Sequence, residues 1–284
     1  MPAPEKVEIA KLGILAGGGL LPIQLAEDCL QKGMEIFIIG FEGQTAPELK
    51  TCYPHFWTGL GAAGSIFKAL RAQGVKDVVL AGSIRRPWLS ELRPDMKGME
   101  ILTRIGLGTL GDDGLLSLLK KEFEKEGFTI HGVHKFAQSL LVKDGVLTRS
   151  KPQESDWQTI RKGIEISQKL GELDIGQSVV VQEGRILGVE AAEGTDRLIA
   201  RCIELQKRGK GAILVKTCKP QQDRDLDLPT IGPDTAKKAG EAGFSGIVIQ
   251  AGAALILDPQ TVAEIADKYN MFVLGMKLNI PEPD

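Results

Sequence analysis

Short apolar runs alternate with amphipathic stretches along the first half of the chain, and no other feature of the sequence constrains the fold as tightly. KLGILAGGGLLPIQLAEDCLQKG reads as a buried strand from Leu12 to Ala16, a glycine turn, and a helix to about Gln31. Pro22 falls in the first helical turn, where its missing N–H costs nothing. MEIFIIGF is a second strand, HFWTGLG a third, SIFKALRAQG a helix closing at Gly74, and KDVVLAGS a fourth strand ending near Ala81. Strands that alternate with helices imply a parallel sheet covered on both faces. From Ile84 to Leu116 prolines and glycines interrupt the pattern; Gly114 to Glu126 resumes as an amphipathic helix and FTIHGVHKF is a short strand.

A chain of 284 residues exceeds the usual size of one core, so two domains are expected. KDGVLTRSKPQESD is polar and rich in turn residues, which places a linker at 143–155 between domains at 1–142 and 156–284. The second domain opens with a helix from Asp156 to Leu170, capped by Ser155 or Asp156 and closed by Gly171. SVVVQEGRILGVEA is a hairpin turning at Glu183-Gly184. A helix from about Thr195 to Lys207, the strand GAILVKTC, the polar loop KPQQDRDLDLPTIG, a helix over Asp234 to Ala242, the strands GIVIQ and LILD, a helix over Thr261 to Lys268 and MFVLGM complete it. The fold class is therefore α/β: a Rossmann-like N-terminal domain with a parallel sheet, a linker, and a mixed α/β C-terminal domain.

Several functions are excluded early. A net charge of -2 supplies no broad positive field for binding polynucleotides. Cys29, Cys52, Cys202 and Cys218 are far apart and form no CxxC pair, which argues against a zinc knuckle or a disulfide framework and for reduced thiols in cytosol. The opening MPAPEKVEIA lacks the apolar stretch of a signal peptide, and no apolar run reaches the roughly 18 residues that span a bilayer, so membrane contact is expected to be peripheral.

Five segments can carry chemistry. Gly17-Gly18-Gly19, between a strand and a helix, lets a phosphate approach backbone N–H groups at a helix start, or simply makes a tight turn. It is not a P-loop, since no GK[ST] follows, and Pro22 replaces the third glycine of a dinucleotide fingerprint. Gly82-Ser83-Ile84-Arg85-Arg86-Pro87 lies where open parallel sheets bind ligands; one arginine, taken as Arg85, can neutralise a phosphate, or the loop is merely solvated. Asp112 and Asp113, inside Gly111–Gly114, open a helix and read as caps before metal ligands. Lys216-Thr217-Cys218-Lys219-Pro220, then Asp223, Asp225, Asp227 and Leu228-Pro229-Thr230, offers lysines to a phosphate and carboxylates to a hard cation. The aspartates alternate at a spacing of two, which in an extended chain directs all three to one side. Glu190 to Asp196, including Gly194 and Thr195, joins a strand end to a helix start and forms either a cap or an anion site.

Other signals read as structural. His131 and His134 are three apart on one expected strand, hence on opposite faces and poor joint ligands. Cys29 and Cys202 occupy buried-looking helical positions. Trp88, Leu89, Leu92, Met96, Met99 and Ile101 read as core rather than lipid-binding.

Taken in order, GILAGGGLLP, AGSIRRP, GDDGLL, EFEKEGF, LDIGQSVVV, VEAAEGTD, CKPQ and DLPTIG resemble the LpxI-type UDP-2,3-diacylglucosamine pyrophosphatases of lipid A biosynthesis over nearly the whole chain. The resemblance implies two domains joined by a linker, substrate in the cleft between them, magnesium dependence and a homodimer. It also implies that the aspartate of DLPTIG, Asp227, is the essential carboxylate and that the threonine of EGTD, Thr195, lines the phosphate site.

The function expected on that basis is hydrolysis of the diphosphate of UDP-2,3-diacylglucosamine to 2,3-diacylglucosamine 1-phosphate and UMP, in the cytoplasm and at the inner-membrane surface. Asp227, with Asp225, would hold Mg2+ or orient water, and Thr195, Lys216, Lys219, Gly194 and Thr230 would grip phosphates together with the loops at Gly17–Gly19 and Gly82–Arg85. Trp88 to Leu110 is expected to help shelter the acyl chains. Two rivals are a dinucleotide-dependent oxidoreductase, with Glu42 on a ribose, and a non-catalytic UDP-sugar-binding protein that needs no metal.

Overall fold

A computed structural model describes residues 9–85, 92–105 and 112–278. The chain divides into two units, Met1–Ala137 with Asp225–Asp227, and Gln138–Arg224 with Leu228–Asp284.

In the N-terminal unit β1 (Lys11–Ala16), β2 (Glu35–Phe41), β3 (His55–Thr58), β4 (Asp77–Ala81) and β5 (Thr129–His131) form one parallel sheet in the order β3-β2-β1-β4-β5. Helices α1 (Leu21–Gln31), α2 (Leu49–Cys52), α3 (Ala63–Ala72), α4 (Met96–Ile105), α5 (Asp112–Lys125) and α6 (Val133–Phe136) make up the rest. This is the Rossmann-like order, and it reverses between β1 and β4, where such sheets open a crevice beyond their carboxyl ends. The strands read as continuous apolar runs because both faces are covered. Leu15, Phe37, Ile39 and Val78 pack with Ile66, Phe67 and Leu70 of α3 and Phe123 of α5. Phe67, Phe123 and Phe128 lie with ring centroids 4.9 to 5.9 Å apart, and each such buried side chain contributes about 2 kcal/mol.

The C-terminal unit holds β6 (Gly145–Val146), α7 (Asp156–Glu172), β7 (Ser178–Gln182), β8 (Arg185–Val189), α8 (Thr195–Cys202), β9 (Ile213–Lys216), β10 (Thr230–Ile231), α9 (Pro233–Glu241), β11 (Gly246–Gln250), β12 (Leu255–Ile256), α10 (Pro259–Lys268) and β13 (Phe272–Met276). Its six-stranded sheet runs β6-β13-β11-β9-β7-β8, with β9, β11 and β13 parallel and β6 and β7 antiparallel to their neighbours; β10 and β12 pair separately. Alternation along the strands sorts the side chains. Leu214, Ile247, Ile249 and Val273 join the core that also holds Leu198 and Ile199 of α8, Ala236 of α9 and Val262 of α10. Ile213, Val215, Val248, Phe272 and Leu274 pack with Ile160 of α7. Helix α7 approaches β9 closely: a Cβ on Gly163 would sit 2.5 Å from the Val215 side chain. The β7–β8 hairpin turns at Glu183 (φ 47°) and Gly184 (φ 76°), the left-handed pair a two-residue turn requires.

Several local expectations are corrected. Ser155 makes no side-chain cap to α7; Asp156 instead accepts the Gln153 amide at 2.7 Å. Gly171 lies inside α7 rather than closing it, and it is small because the Lys219 backbone passes there, 3.0 Å from where a Cβ would be. Helix α8 stops at Cys202, short of Lys207, because the Lys207 amide is taken by Gln182 Oε1 and Gln206 is drawn to Ala212 and Ala242. The histidines do not share a strand: β5 ends at His131, Gly132 is extended, and His134 belongs to α6. Residues 224–226 form a turn, so Asp223, Asp225 and Asp227 are not aligned on one side of an extended chain. Ile101 is core as expected, but Met96 and Met99 are 92% and 53% exposed on α4.

Candidate functional site

The loops after β1 and β4 meet at the reversal of strand order, but their polar groups face each other. Gly17 N donates to Ala81 O and Gly18 N to Ser83 O, each at 2.7 Å, and Ser83 N returns a bond to Gly18 O at 3.1 Å. A Cβ on Gly17 would stand 2.5 Å from Ser83 O, and one on Gly82 (φ 91°) would stand 2.5 Å from Gly18 O. These glycines are small because two backbones touch, so the amides of Gly17 and Gly18 are not presented to a phosphate in the expected way. Gly19 (φ 84°) has open space where a Cβ would be, at the start of α1. The Arg85 amide bonds to Gln44 Oε1 at 3.0 Å and its residue is exposed. Glu42, the ribose ligand of the dinucleotide reading, is exposed just beyond β2. Arg86, Trp88, Leu89 and Gly111 lie outside the described residues, as do the side chains of Asp112 and Asp113; α5 itself begins at Asp112.

Asp225–Asp227 is the short segment of the second half that clusters with the N-terminal unit. Leu226 is its anchor, buried with Leu15, Phe67 and Ile101. The Asp225 carboxylate accepts Gly132 N at 3.0 Å and lies 2.9 Å from Lys135 Nζ. Burial pushes that carboxyl up, but the Lys135 ammonium and the Gly132 amide outweigh it and hold it below the ordinary aspartate value. Asp227 is exposed at the end of the segment.

In the C-terminal unit a charged cluster gathers at the carboxyl edge of β9. Lys216, its last residue, is 6% exposed and donates from Nζ to Thr195 Oγ1 at 2.8 Å. Thr195 donates to Glu190 Oε1 at 2.5 Å, and Glu190 Oε2 accepts the Gln177 amide at 3.2 Å. Glu190 is 7% exposed, and Ser178, whose hydroxyl lies 3.5 Å from that of Thr195, is fully buried. Thr195 opens α8 behind Gly194 (φ 80°, ψ 168°), and no side chain caps that helix, so its first-turn amides add partial positive charge beside Lys216. Glu190 was legible only within its segment and Gln177 and Ser178 only as members of LDIGQSVVV; no role for them could be read locally, because their partners are brought in by strand pairing.

The CKPQ loop is fixed from several sides. Gln168 Nε2 reaches Cys218 O at 3.0 Å, Gln221 Nε2 reaches Gly171 O at 2.6 Å, and Cys218 N donates to Gln250 Oε1 at 2.9 Å. Lys219 pairs with Asp174 at 2.5 Å. Thr230 turns its hydroxyl to Leu228 O at 3.0 Å just before Gly232 and α9. Cys29 and Cys202 are buried helical residues as expected; burial pushes the Cys29 thiol up to about 11 and that of Cys202 in the same direction, which leaves neither as a nucleophile.

Comparison with known proteins adds sequence relationships. Residues 11–140 match a family model described as the LpxI N-terminal domain, and residues 143–274 match the LpxI C-terminal domain. A protein of Caulobacter vibrioides, UDP-2,3-diacylglucosamine pyrophosphatase LpxI, is 40% identical over 273 residues, which is 94% of this chain and 97% of that one. Among solved structures, the biotin carboxylase subunit of a pyruvate carboxylase is 13% identical with a TM-score of 0.27 over 61% of this chain. The biotin carboxylase domain of the Hydrogenobacter thermophilus 2-oxoglutarate carboxylase is 11% identical with a TM-score of 0.26 over 69%. The chain spans 34% and 41% of those two proteins, and likeness at that level carries no argument.

Proposed function

The chain belongs to the LpxI family, and from that premise we propose that it hydrolyses the diphosphate of UDP-2,3-diacylglucosamine to 2,3-diacylglucosamine 1-phosphate and UMP. The observation that carries this reading is the match of both family domains together with 40% identity to a UDP-2,3-diacylglucosamine pyrophosphatase along almost the full length of both chains. One water is consumed: its oxygen bonds to a phosphorus, the bridging P–O bond breaks, and a proton is released. We take the sugar-side phosphorus as the one attacked, so label from heavy-oxygen water is expected in the sugar phosphate and not in UMP.

Negative charge gathers on the bridge as it breaks, so catalysis is chiefly positioning and charge stabilisation. Lys216, Lys219 and the uncapped start of α8 provide positive charge for the phosphates, and Gly194, Thr195 and Thr230 shape the surrounding backbone. Gly19, Gly82, Ser83 and Arg85 remain candidates for a second phosphate contact. Among the described residues no group of three or more His, Cys, Asp or Glu could hold a metal ion. Magnesium does not require one, since it commonly binds through one or two carboxylates plus substrate phosphates. Asp227 fits that pattern; Asp225 fits it once released from Lys135. The ion, when bound, would neutralise phosphate oxygens as charge develops. Asp227 would hold it or orient the attacking water.

The same reading extends to location and assembly. Among the described residues no helix is long and apolar enough to cross a membrane, and a substrate with two acyl chains brings the enzyme to the inner-membrane surface from the cytoplasm. Exposed Met96 and Met99 supply apolar surface on α4 for that encounter. We take the working form to be a homodimer.

The test is UMP release from UDP-2,3-diacylglucosamine with and without EDTA. Activity abolished by EDTA and restored by Mg2+ is the expected result; binding without release leaves the UDP-sugar-binding reading, and full activity in EDTA removes the metal. Asp227→Ala is expected to fold normally and to lose on the order of 10³-fold or more in turnover, and retained activity rejects its assignment.

A further inference from the structure

The cluster around Lys216 has a direction. An ammonium carries three donors and no acceptor, so Thr195 Oγ1 can only accept from Lys216 Nζ at 2.8 Å. A hydroxyl has one proton, and that proton goes to Glu190 Oε1 at 2.5 Å. Glu190 is itself pinned. Its second oxygen holds the Gln177 amide, its own amide donates to Ser178 O at 2.8 Å, and Gly176 lets its carbonyl pass 2.2 Å from where a Cβ would be. Thr195 therefore has no proton left to give a phosphate. Lys216 has two further N–H donors beside the one that reaches Thr195, and it lies next to the uncapped start of α8.

We infer that Thr195 and Glu190 are positioning residues that act on the substrate's phosphates through Lys216 instead of touching them. Glu190 orients the Thr195 hydroxyl, whose lone pair holds the buried ammonium in place. The carboxylate one hydroxyl away also offsets the cost of burying that charge. The identity of the anion rests on the diphosphate reading above; the geometry does not.

The experiment measures binding of inorganic pyrophosphate to the full chain by calorimetry, beside UMP release. Lys216→Met is expected to weaken pyrophosphate binding by roughly tenfold or more, and Glu190→Gln and Thr195→Val by about three- to tenfold each. Thr195→Ser, which keeps the hydroxyl, restores binding. In the Lys216→Met background, Glu190→Gln and Thr195→Val change nothing further, because the group they position is gone. Losses that multiply in that background overturn the inference. So does tighter binding in Glu190→Gln, the result expected if Thr195 gave its freed proton directly to phosphate, and so does a wild-type chain that binds no pyrophosphate. A chain that shows the predicted pattern but releases no UMP rejects the diphosphatase reading and leaves this inference standing.

Discussion

Gly17-Gly18 and Lys216 both stand at the carboxyl end of a strand near a helix start, and they deal with polarity in opposite ways. The glycine loop carries the motif that most suggests a phosphate, yet its first two amides close on the backbone of Ala81 and Ser83. Lys216 sits in a lysine-bearing segment with no glycine motif, yet it draws a threonine, a glutamate and a helix start into one buried cluster. Missing Cβ atoms allow close approach but do not say whether a ligand or another strand arrives. A buried ammonium is costly enough to need an explanation, and that makes it the more informative feature.

The largest effect that would break this contrast is at Lys216. Lys216→Met is expected to lower kcat/KM for UDP-2,3-diacylglucosamine by about 10³-fold, roughly 4 kcal/mol, because it removes a fixed positive charge where charge develops. It also leaves Glu190 buried without its cation, so melting temperature should fall; Lys216→Met combined with Glu190→Gln should recover stability but not turnover. A single variant with near-normal kcat/KM would make the cluster a structural ion network only.

Next in size is Gly17→Ala. Its Cβ would lie 2.5 Å from Ser83 O and 2.9 Å from Gly82 O, both backbone atoms, so the loop must shift. A loss of about 2–3 kcal/mol in urea unfolding is expected with KM nearly unchanged. Unaltered stability with a KM raised tenfold or more would return the loop to the phosphate-binding role its sequence suggests.

Much of the fold was legible because periodicity reports burial directly. The doubly covered sheet showed as unbroken apolar runs at Lys11–Ala16 and Glu35–Phe41, and the hairpin showed at Glu183-Gly184, where local turn chemistry decides the outcome. Helix α8 was read too long because its end is set by Gln182 and Gln206, side chains that meet it only through the fold. The site was legible one residue at a time. Thr195 and Lys216 are 21 positions apart, and neither their hydrogen bond nor the role of Glu190 could be read before β7, β8 and β9 were paired.

Asp225 sharpens the contrast with the smallest effect, since it resembles the glycine loop in having its polar atoms already committed within the chain. Its carboxylate holds Lys135 and the Gly132 amide, and the ion pair is partly exposed, so Asp225→Asn is expected to cost only about 1 kcal/mol at neutral pH. The pH dependence has a definite sign. Because the folded carboxyl lies below its unfolded value of roughly 3.9, the unfolded state takes up a proton first as pH falls. The stabilisation is therefore complete above about pH 4 to 5 and disappears as pH drops through the folded value. Urea midpoints of wild type and Asp225→Asn should differ by a constant amount at pH 6 to 8 and converge in acid. A difference that instead grew on adding Mg2+ at neutral pH would show the carboxylate leaving Lys135 for the ion, and would move Asp225 from anchoring its turn to binding metal beside Asp227.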